Sequence, residues 1–412
     1  MPTYTKSSCF VALIVLVLYL TFSRFAYALD LSIGDWSAHG FASQGYTYTT
    51  GNNFFGKSQN DGSFDFREIG VNVAGHVYPN FLIAAQGLYR DAGGSDRDNF
   101  RLDFANLDYQ YPLSNETTIG IRLGRIKNPF GLYNDTRDVI WTRPGVTLPQ
   151  SVYFDALALR QAMISSDGGL IYGRHAFGNH ALSTEFVTAN PLDNTGGATE
   201  FLSGQPVAPG KMTGRPLFIG RAGYEWKEGR FRLLFSVVNL DRDFKSSSPL
   251  VPSGGIKVLY PLASAQLNLE KWSFTAEYGQ VLIERSASLS PFGLPFKNSS
   301  ESFYVQSEYR FAPSWTALLR FDAFFADVSD RSGKRMANLT GLPKHAFFAK
   351  DVTVGLRWEF AKNFMVAADY HHIWGTGWLS TIDNSQLQVP GTPGAGGDSS
   401  WDLITVMFSY RF

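Results

Sequence analysis

Cysteine is almost missing from this 412-residue chain: the one present, Cys9, lies close to the first residue. Neither disulfides nor thiol chemistry can organise the remainder of the molecule. An excess of charge of one sign is also missing. Lys+Arg and Asp+Glu both number 36, which excludes the basic surplus expected of a nucleic-acid binder. Charged residues of either sign make up only 17%. The length would ordinarily suggest two or three soluble domains, yet no linker-like break in composition divides the chain. Disorder is excluded by an aromatic content of 15%. Beyond residue 28 no apolar run reaches the roughly 18 residues that mark a membrane-spanning helix. If the mature chain resides in a membrane, it must cross as a closed β-barrel, the only other structure that satisfies its backbone in lipid.

The beginning of the chain sets the compartment. Lys6 is followed by the apolar stretch CFVALIVLVLYLTF, and Ala26-Tyr27-Ala28 supplies the small residues of a signal-peptidase site. The stretch is short for a span, and Cys9 is too early, in the wrong context, for a lipid-modification site. Residues 1–28 are therefore expected to be a signal peptide and residues 29–412 the mature barrel domain. Losing Lys6 and Arg24 would take the net charge from 0 to −2.

Two-residue alternation recurs along the whole mature chain and predicts sixteen strands: 34–49, 64–78, 81–90, 100–111, 116–127, 168–177, 180–188, 216–227, 230–240, 257–270, 272–284, 299–311, 314–326, 350–360, 363–373 and 400–412. Val352, Val354, Leu356, Trp358 and Phe360 share one face of their strand, and Thr353, Gly355, Arg357 and Glu359 the other. The connectors alternate short and long. The short ones fall at 78–80, 112–115, 178–179, 228–229, 270–271, 312–313 and 361–362, while the long ones run from about nine to forty residues. Tight turns at one end, long loops at the other and an even strand count are the pattern of an all-β transmembrane up-and-down barrel. Aromatics reinforce it. Tyr78, Phe81, Tyr109, Tyr111, Trp226, Phe231, Trp272, Phe311, Trp315, Phe360 and Phe364 cluster at the short turns, as a girdle at one membrane interface would require. Tyr46, Tyr48, Phe66, Tyr89, Phe325, Trp374 and Trp401 are expected to form the opposite belt. The chain ends on TVMFSYRF, a strand with Phe408, Tyr410 and Phe412 towards lipid and Ser409 and Arg411 towards the lumen. It must pair with the first strand, because an open edge in lipid leaves unpaired backbone groups.

A signal peptide, alternating strands and a terminal Y-R-F resemble the Gram-negative outer-membrane porins. Residues 120–153, GIRLGRIKNPFGLYNDTRDVIWTRPGVTLPQSVY, resemble a segment of the phosphate-selective-porin-like group. The resemblance implies passive diffusion of small polar solutes or ions through a water-filled barrel in the outer membrane. It further implies no cofactor, contact with the barrel-insertion machinery through Phe412, and a homotrimer. It also implies that the third long connector, 128–167, folds into the lumen and narrows it; its length alone is equally compatible with an outer lid.

Other motifs are weaker. GNNFFGKS at 51–58 matches a nucleotide-binding loop in letters only, since turn and strand come after it where a helix is needed; a surface hairpin loop is expected. His371 and His372 are adjacent on a strand, so they point to opposite faces and cannot share a metal. Neither H-E-x-x-H nor G-x-S-x-G occurs, and no enzyme is expected, although a Ser/His pair on a strand face would leave no local signature. The alternatives are a barrel enzyme or adhesin acting through its loops, and a channel for hydrophobic substrates. The latter should show an N-terminal plug and apolar lumen positions, which this chain is expected to lack.

Candidate pore residues are Lys127, Arg137 and Arg143 on one side of the constriction and Asp135 and Asp138 on the other, with Arg122, Arg232, Arg320 and Arg357 on the wall. Arg221, Arg310 and Arg411 and the acids Glu225, Glu277, Glu308, Asp322, Glu359 and Asp369 are also expected to face the lumen. Phosphate-selective porins owe their preference to a basic pathway. Here the signs nearly balance, so only weak ion selectivity is expected.

Overall fold

The computed structural model describes residues 35–412 except 97–98, 204–208, 290–294 and 393; the expected signal peptide and its cleavage site lie outside the described residues. The strands are β1 (Trp36–Thr49), β2 (Phe66–Tyr78), β3 (Phe81–Ala92), β4 (Asn99–Pro112), β5 (Thr117–Lys127), β6 (Ser165–Phe177), β7 (His180–Pro191), β8 (Gly210–Gly214) and β9 (Leu217–Trp226). They continue as β10 (Phe231–Ser246), β11 (Gly254–Asn268), β12 (Trp272–Arg285), β13 (Phe296–Ala312), β14 (Trp315–Phe325), β15 (Phe348–Ala361), β16 (Phe364–Gly375) and β17 (Ser400–Arg411). Apart from β8, consecutive strands pair antiparallel, β7 directly with β9, and β17 pairs back onto β1 from Phe41↔Arg411 to Thr49↔Leu403. The result is a closed sixteen-stranded barrel. β8 and β9 share one position, since both pair with β10, and the interruption falls at Arg215-Pro216, where proline has no N–H to give the ladder.

The expected strands all form. Their ends shift by a few residues, except that the eighth reaches back to Gly210 and the ninth runs on to Ser246. Closure is complete at the last residue. Phe412 donates its backbone N–H to the Gly40 carbonyl at 3.0 Å and accepts from Gly40 N–H at 3.1 Å. The Phe412 ring lies on Gly40, 2.5 Å from where a side chain would begin. A side chain at this position would force the ring to shift.

The outer face carries a continuous exposed apolar band, including Ile69, Val71, Ile121, Leu123, Leu319 and Val354. Soluble monomers rarely expose a contiguous apolar band; on a barrel it is the lipid-facing surface. At the short-turn end the rings from Phe274 through Trp272, Tyr309, Phe311, Trp315, Trp358, Phe360, Phe364 and Tyr410 to Phe412 touch in sequence. Their centroids lie 4.3 to 6.4 Å apart. This is one girdle. The opposite belt is thinner than expected. Tyr46, Tyr48, Tyr89 and Trp374 lie on the outer face, but Phe66 and Trp401 point inward and are buried, and Phe325 is covered by Arg331 and Lys350, each 5.7 Å from its ring.

A second correction concerns the lumen. The upper inner wall of β9–β12 is apolar, through Leu217, Ile219, Val238, Ile256, Val258 and Val281. Alternation concealed this sector because apolar residues occupy both faces of these strands there, one facing lipid and the other facing inserted loops. The segment 51–58 is likewise no exposed hairpin: Phe54, Phe55 and Ser58 are buried, and Asn52 and Asn53 bond to Asp398 and Asn384 of the last long loop.

Candidate functional site

The third long loop spans 128–164, three residues shorter at its end than expected because β6 begins at Ser165. It enters the barrel because its sequence places buried apolar residues at short intervals: Phe130, Tyr133, Ile140, Val146, Leu148 and Val152. Pro149 precedes a single helical turn, Gln150–Tyr153, which ends at Phe154 with φ 49°. Gly131, at φ 60°, passes so close to Tyr153 and Glu277 that a side chain would begin 2.7 and 2.8 Å from their oxygens. Any other residue would be strained at this φ and would force the Tyr153 and Glu277 side chains to shift.

Inward-facing wall carboxylates accept from loop N–H groups. Glu277 accepts from Leu132 N–H at 3.0 Å, Asp369 from Val146 N–H at 2.6 Å and Asp322 from Ser151 N–H at 3.2 Å. Glu277 also accepts from the Tyr153 and Tyr304 hydroxyls at 2.7 and 2.8 Å and from Ser264. Basic wall residues hold carbonyls: Arg320 takes Thr147 O at 3.0 Å, and Arg357 takes Arg143 O. Arg411 lies 4.7 Å from the Trp141 ring. The loop thus touches the wall on β12, β14, β15, β16 and β17. A lid packed above the barrel would not reach these positions.

On the other side, β2–β5 and the loop share a buried ionic network. Arg90 bonds Glu68 and Asp96 at 2.9 Å each, and Arg143 bonds Glu68 at 2.6 Å. Lys127 bonds Asp138 at 3.0 Å and also Asp103. Burial alone would raise the Asp138 carboxyl, but Lys127 and Arg160 outweigh it and hold the group well below the usual carboxylate range. Asp155 is lowered in the same way, with Arg137 and Arg160 overcoming burial. Removing one member of such a buried set is costly, because its opposite charge is left uncompensated.

The structure separates the sequence-derived candidates into two groups. Arg137 and Arg143 are buried. Arg137 donates to Tyr153 O at 2.9 Å and Arg160 O at 3.1 Å, and Arg143 to Glu68 and to loop carbonyls. Both guanidiniums are turned into the loop and wall and away from water. Asp138 and Arg320 are equally buried, and Lys127 and Arg357 are half-buried. Water-facing charge remains at Asp135, Arg122 and Arg232, whose side chains are 35%, 31% and 34% exposed. These three are paired: Asp135 with Arg221 at 2.8 Å, Arg122 with Asp108 at 2.8 Å, and Arg232 with Glu225 at 3.2 Å. Glu225 also holds Arg174. Sequence reasoning missed Glu68, Arg90 and Asp96. The even-numbered positions of 64–78 and 81–90 that face inward would have exposed the first two, whereas Asp96 comes from a loop and left no signal.

No protein-family model matches the chain, and no curated protein sequence matches it. Solved structures do. The outer-membrane channel DcaP of Acinetobacter baumannii superposes with a TM-score of 0.58 at 12% identity, over 92% of this chain and 99% of that one. OmpF of Salmonella typhi, in complex with daunomycin, gives 0.56 at 14%, over 92% and 97%. An anion-selective porin from Comamonas acidovorans gives 0.55 at 11%, over 92% and 99%. Across nearly its full length, the described chain has the barrel fold of the Gram-negative outer-membrane porins.

Proposed function

We propose that the protein is an outer-membrane channel of the porin type, admitting small polar or ionic solutes by passive diffusion. The observation that carries this reading is the third loop bound inside a lipid-facing barrel by wall carboxylates and arginines. Such a loop narrows a passage. Selectivity is weak in this reading, because the water-facing candidates Asp135, Arg122 and Arg232 each sit beside an opposite charge and charge–charge interactions across an aqueous lumen are screened beyond roughly 8–10 Å. No chemistry is needed for transport. The barrel is inserted after export, with Phe412 as its terminal signal, and assembles as a homotrimer, as the trimer form of a Vibrio cholerae neighbour illustrates. Purified protein in a planar bilayer should give ohmic single-channel steps and a small zero-current potential in a salt gradient. A folded barrel that conducts no ions would defeat the proposal.

One observation favours a second reading. A cavity of about 110 Å³ lies between Phe154, Leu159 and Met163 of the third loop, Phe201 of the fourth, and the apolar wall at Ile219 and Val258. Apolar cavities of this order stay dry and accept small hydrocarbons, so solutes with an apolar moiety would find a resting place there. Slowed permeation of an aromatic anion relative to an aliphatic one of equal charge would support it.

A further inference from the structure

The adjacent histidines separate as the strand pleat requires, and their surroundings differ. His371 is buried in the lumen, with Nδ1 2.8 Å from Asp351 and 3.0 Å from Thr353. Among the described residues no hydroxyl meets its Nε2. His372 lies on the outer face, near the long-loop rim. Its Nδ1 is 2.7 Å from Asp402 Oδ1, and its Nε2 is 3.4 Å from the Ser400 hydroxyl. Register makes the arrangement: β16 and β17 pair His372↔Asp402 and Trp374↔Ser400, so all three side chains share one face. Asp402 is itself oriented. It accepts from the Tyr370 hydroxyl at 2.8 Å, and its N–H donates to Thr50 Oγ1 at 2.9 Å. The carboxylate fixes the tautomer with hydrogen on Nδ1, which leaves the Nε2 lone pair towards Ser400.

We propose that Ser400, His372 and Asp402 form a serine-hydrolase centre on the outside of the barrel, acting on carboxylic esters of membrane lipids. The order hydroxyl, imidazole, carboxylate is the arrangement that activates a serine, and the resting hydroxyl–imidazole distance is of the loose kind that tightens on substrate. The substrate class is set by depth. Ser400 opens β17 and is exposed, and His372 and Asp402 are each 35% exposed. Trp374 stands edge-on to His372 with centroids 4.4 Å apart, and Tyr370 and Ile404 continue the exposed apolar band below. Interfacial tryptophan marks the boundary between head groups and acyl chains, which is where a lipid's ester bonds lie. In the first step Ser400 Oγ bonds the acyl carbon and gives its proton to His372 Nε2. The ester C–O bond breaks and the leaving alkoxide takes that proton. Water then attacks the acyl-serine through the same imidazole, releasing the carboxylic acid and restoring the hydroxyl. Ser400 and His372 are the catalytic residues, and Asp402 positions the imidazole.

The test uses the full barrel in detergent and in phosphatidylcholine vesicles. A fluorophosphonate probe should label Ser400, as located by peptide mass spectrometry, and fatty acid should be released from the vesicles. Ser400→Ala and His372→Gln should each cut that release at least about tenfold while the heat-modifiable folded band is retained. Asp402→Asn should slow labelling and shift its pH profile, which a merely structural role would not do. p-Nitrophenyl butyrate tests the soluble alternative: hydrolysis of this ester with intact vesicles overturns the lipid assignment. An unlabelled Ser400 in the folded barrel, or release unchanged in Ser400→Ala, overturns the centre itself.

Discussion

Glu277 is the anchor whose removal should most change the channel. Its carboxylate, on β12, receives the Leu132 N–H, the Tyr153 and Tyr304 hydroxyls and the Ser264 hydroxyl, and both tyrosines are fully buried. Glu277→Ala leaves these donors without an acceptor. Hydrogen bonds to a charged group contribute about 1.5–3 kcal/mol each, and a stranded buried donor costs a comparable amount. Only two of the donors, Leu132 N–H and Tyr153 OH, belong to the third loop. Counting those two alone at the low end gives roughly 3 kcal/mol against the docked loop, or about two orders of magnitude in its docked-to-undocked ratio. The barrel itself should survive, because its ladders to β11 and β13 are untouched. Glu277→Gln, which keeps one acceptor oxygen, should be milder. The assay is single-channel conductance in planar bilayers, paired with limited proteolysis of the loop. The alanine variant should show a larger, noisier conductance and faster cleavage between 128 and 164. A folded Glu277→Ala barrel with unchanged conductance and unchanged protease resistance would refute the idea that the loop both sits in the passage and depends on this anchor.

Reversing Arg122 and Arg232 to Glu should shift the zero-current potential towards cations, because both face water; an unchanged potential would place these strands outside the conducting path. Arg137→Glu with Arg143→Glu should instead undock the loop, since both guanidiniums are held by loop carbonyls and Glu68; a pure change of selectivity at wild-type conductance would count against that assignment. Phe412→Asp and Gly40→Val should both lower the yield of heat-modifiable barrel, as each separates the ring from the glycine beneath it; a charge at the interface costs less than the roughly 2–4 kcal/mol seen for a basic residue at the midplane, so the assembly defect should exceed any loss of stability. The exported protein should begin at Leu29 by N-terminal sequencing; material beginning at Met1 in the outer membrane would refute cleavage.

Strand positions, turn positions and the sense of alternation came from local sequence, because period two is dictated by the pleat and needs no tertiary knowledge. The pattern of 350–360, the tight turns and the terminal aromatic were legible for that reason, as was the separation of His371 from His372. The placement of charge was not. Arg137 and Arg143 read as solute contacts from the loop sequence, and only the folded loop shows their guanidiniums consumed by Tyr153 O, Arg160 O and Glu68. The apolar inner sector at Ile219 and Val258 was hidden because alternation reveals two faces only when they differ in polarity. The Ser400–His372–Asp402 chain was hidden because its members lie on two strands separated by a long loop. Register between strands is a tertiary quantity, fixed by ring closure and by the turns, and it alone decided that these three side chains meet.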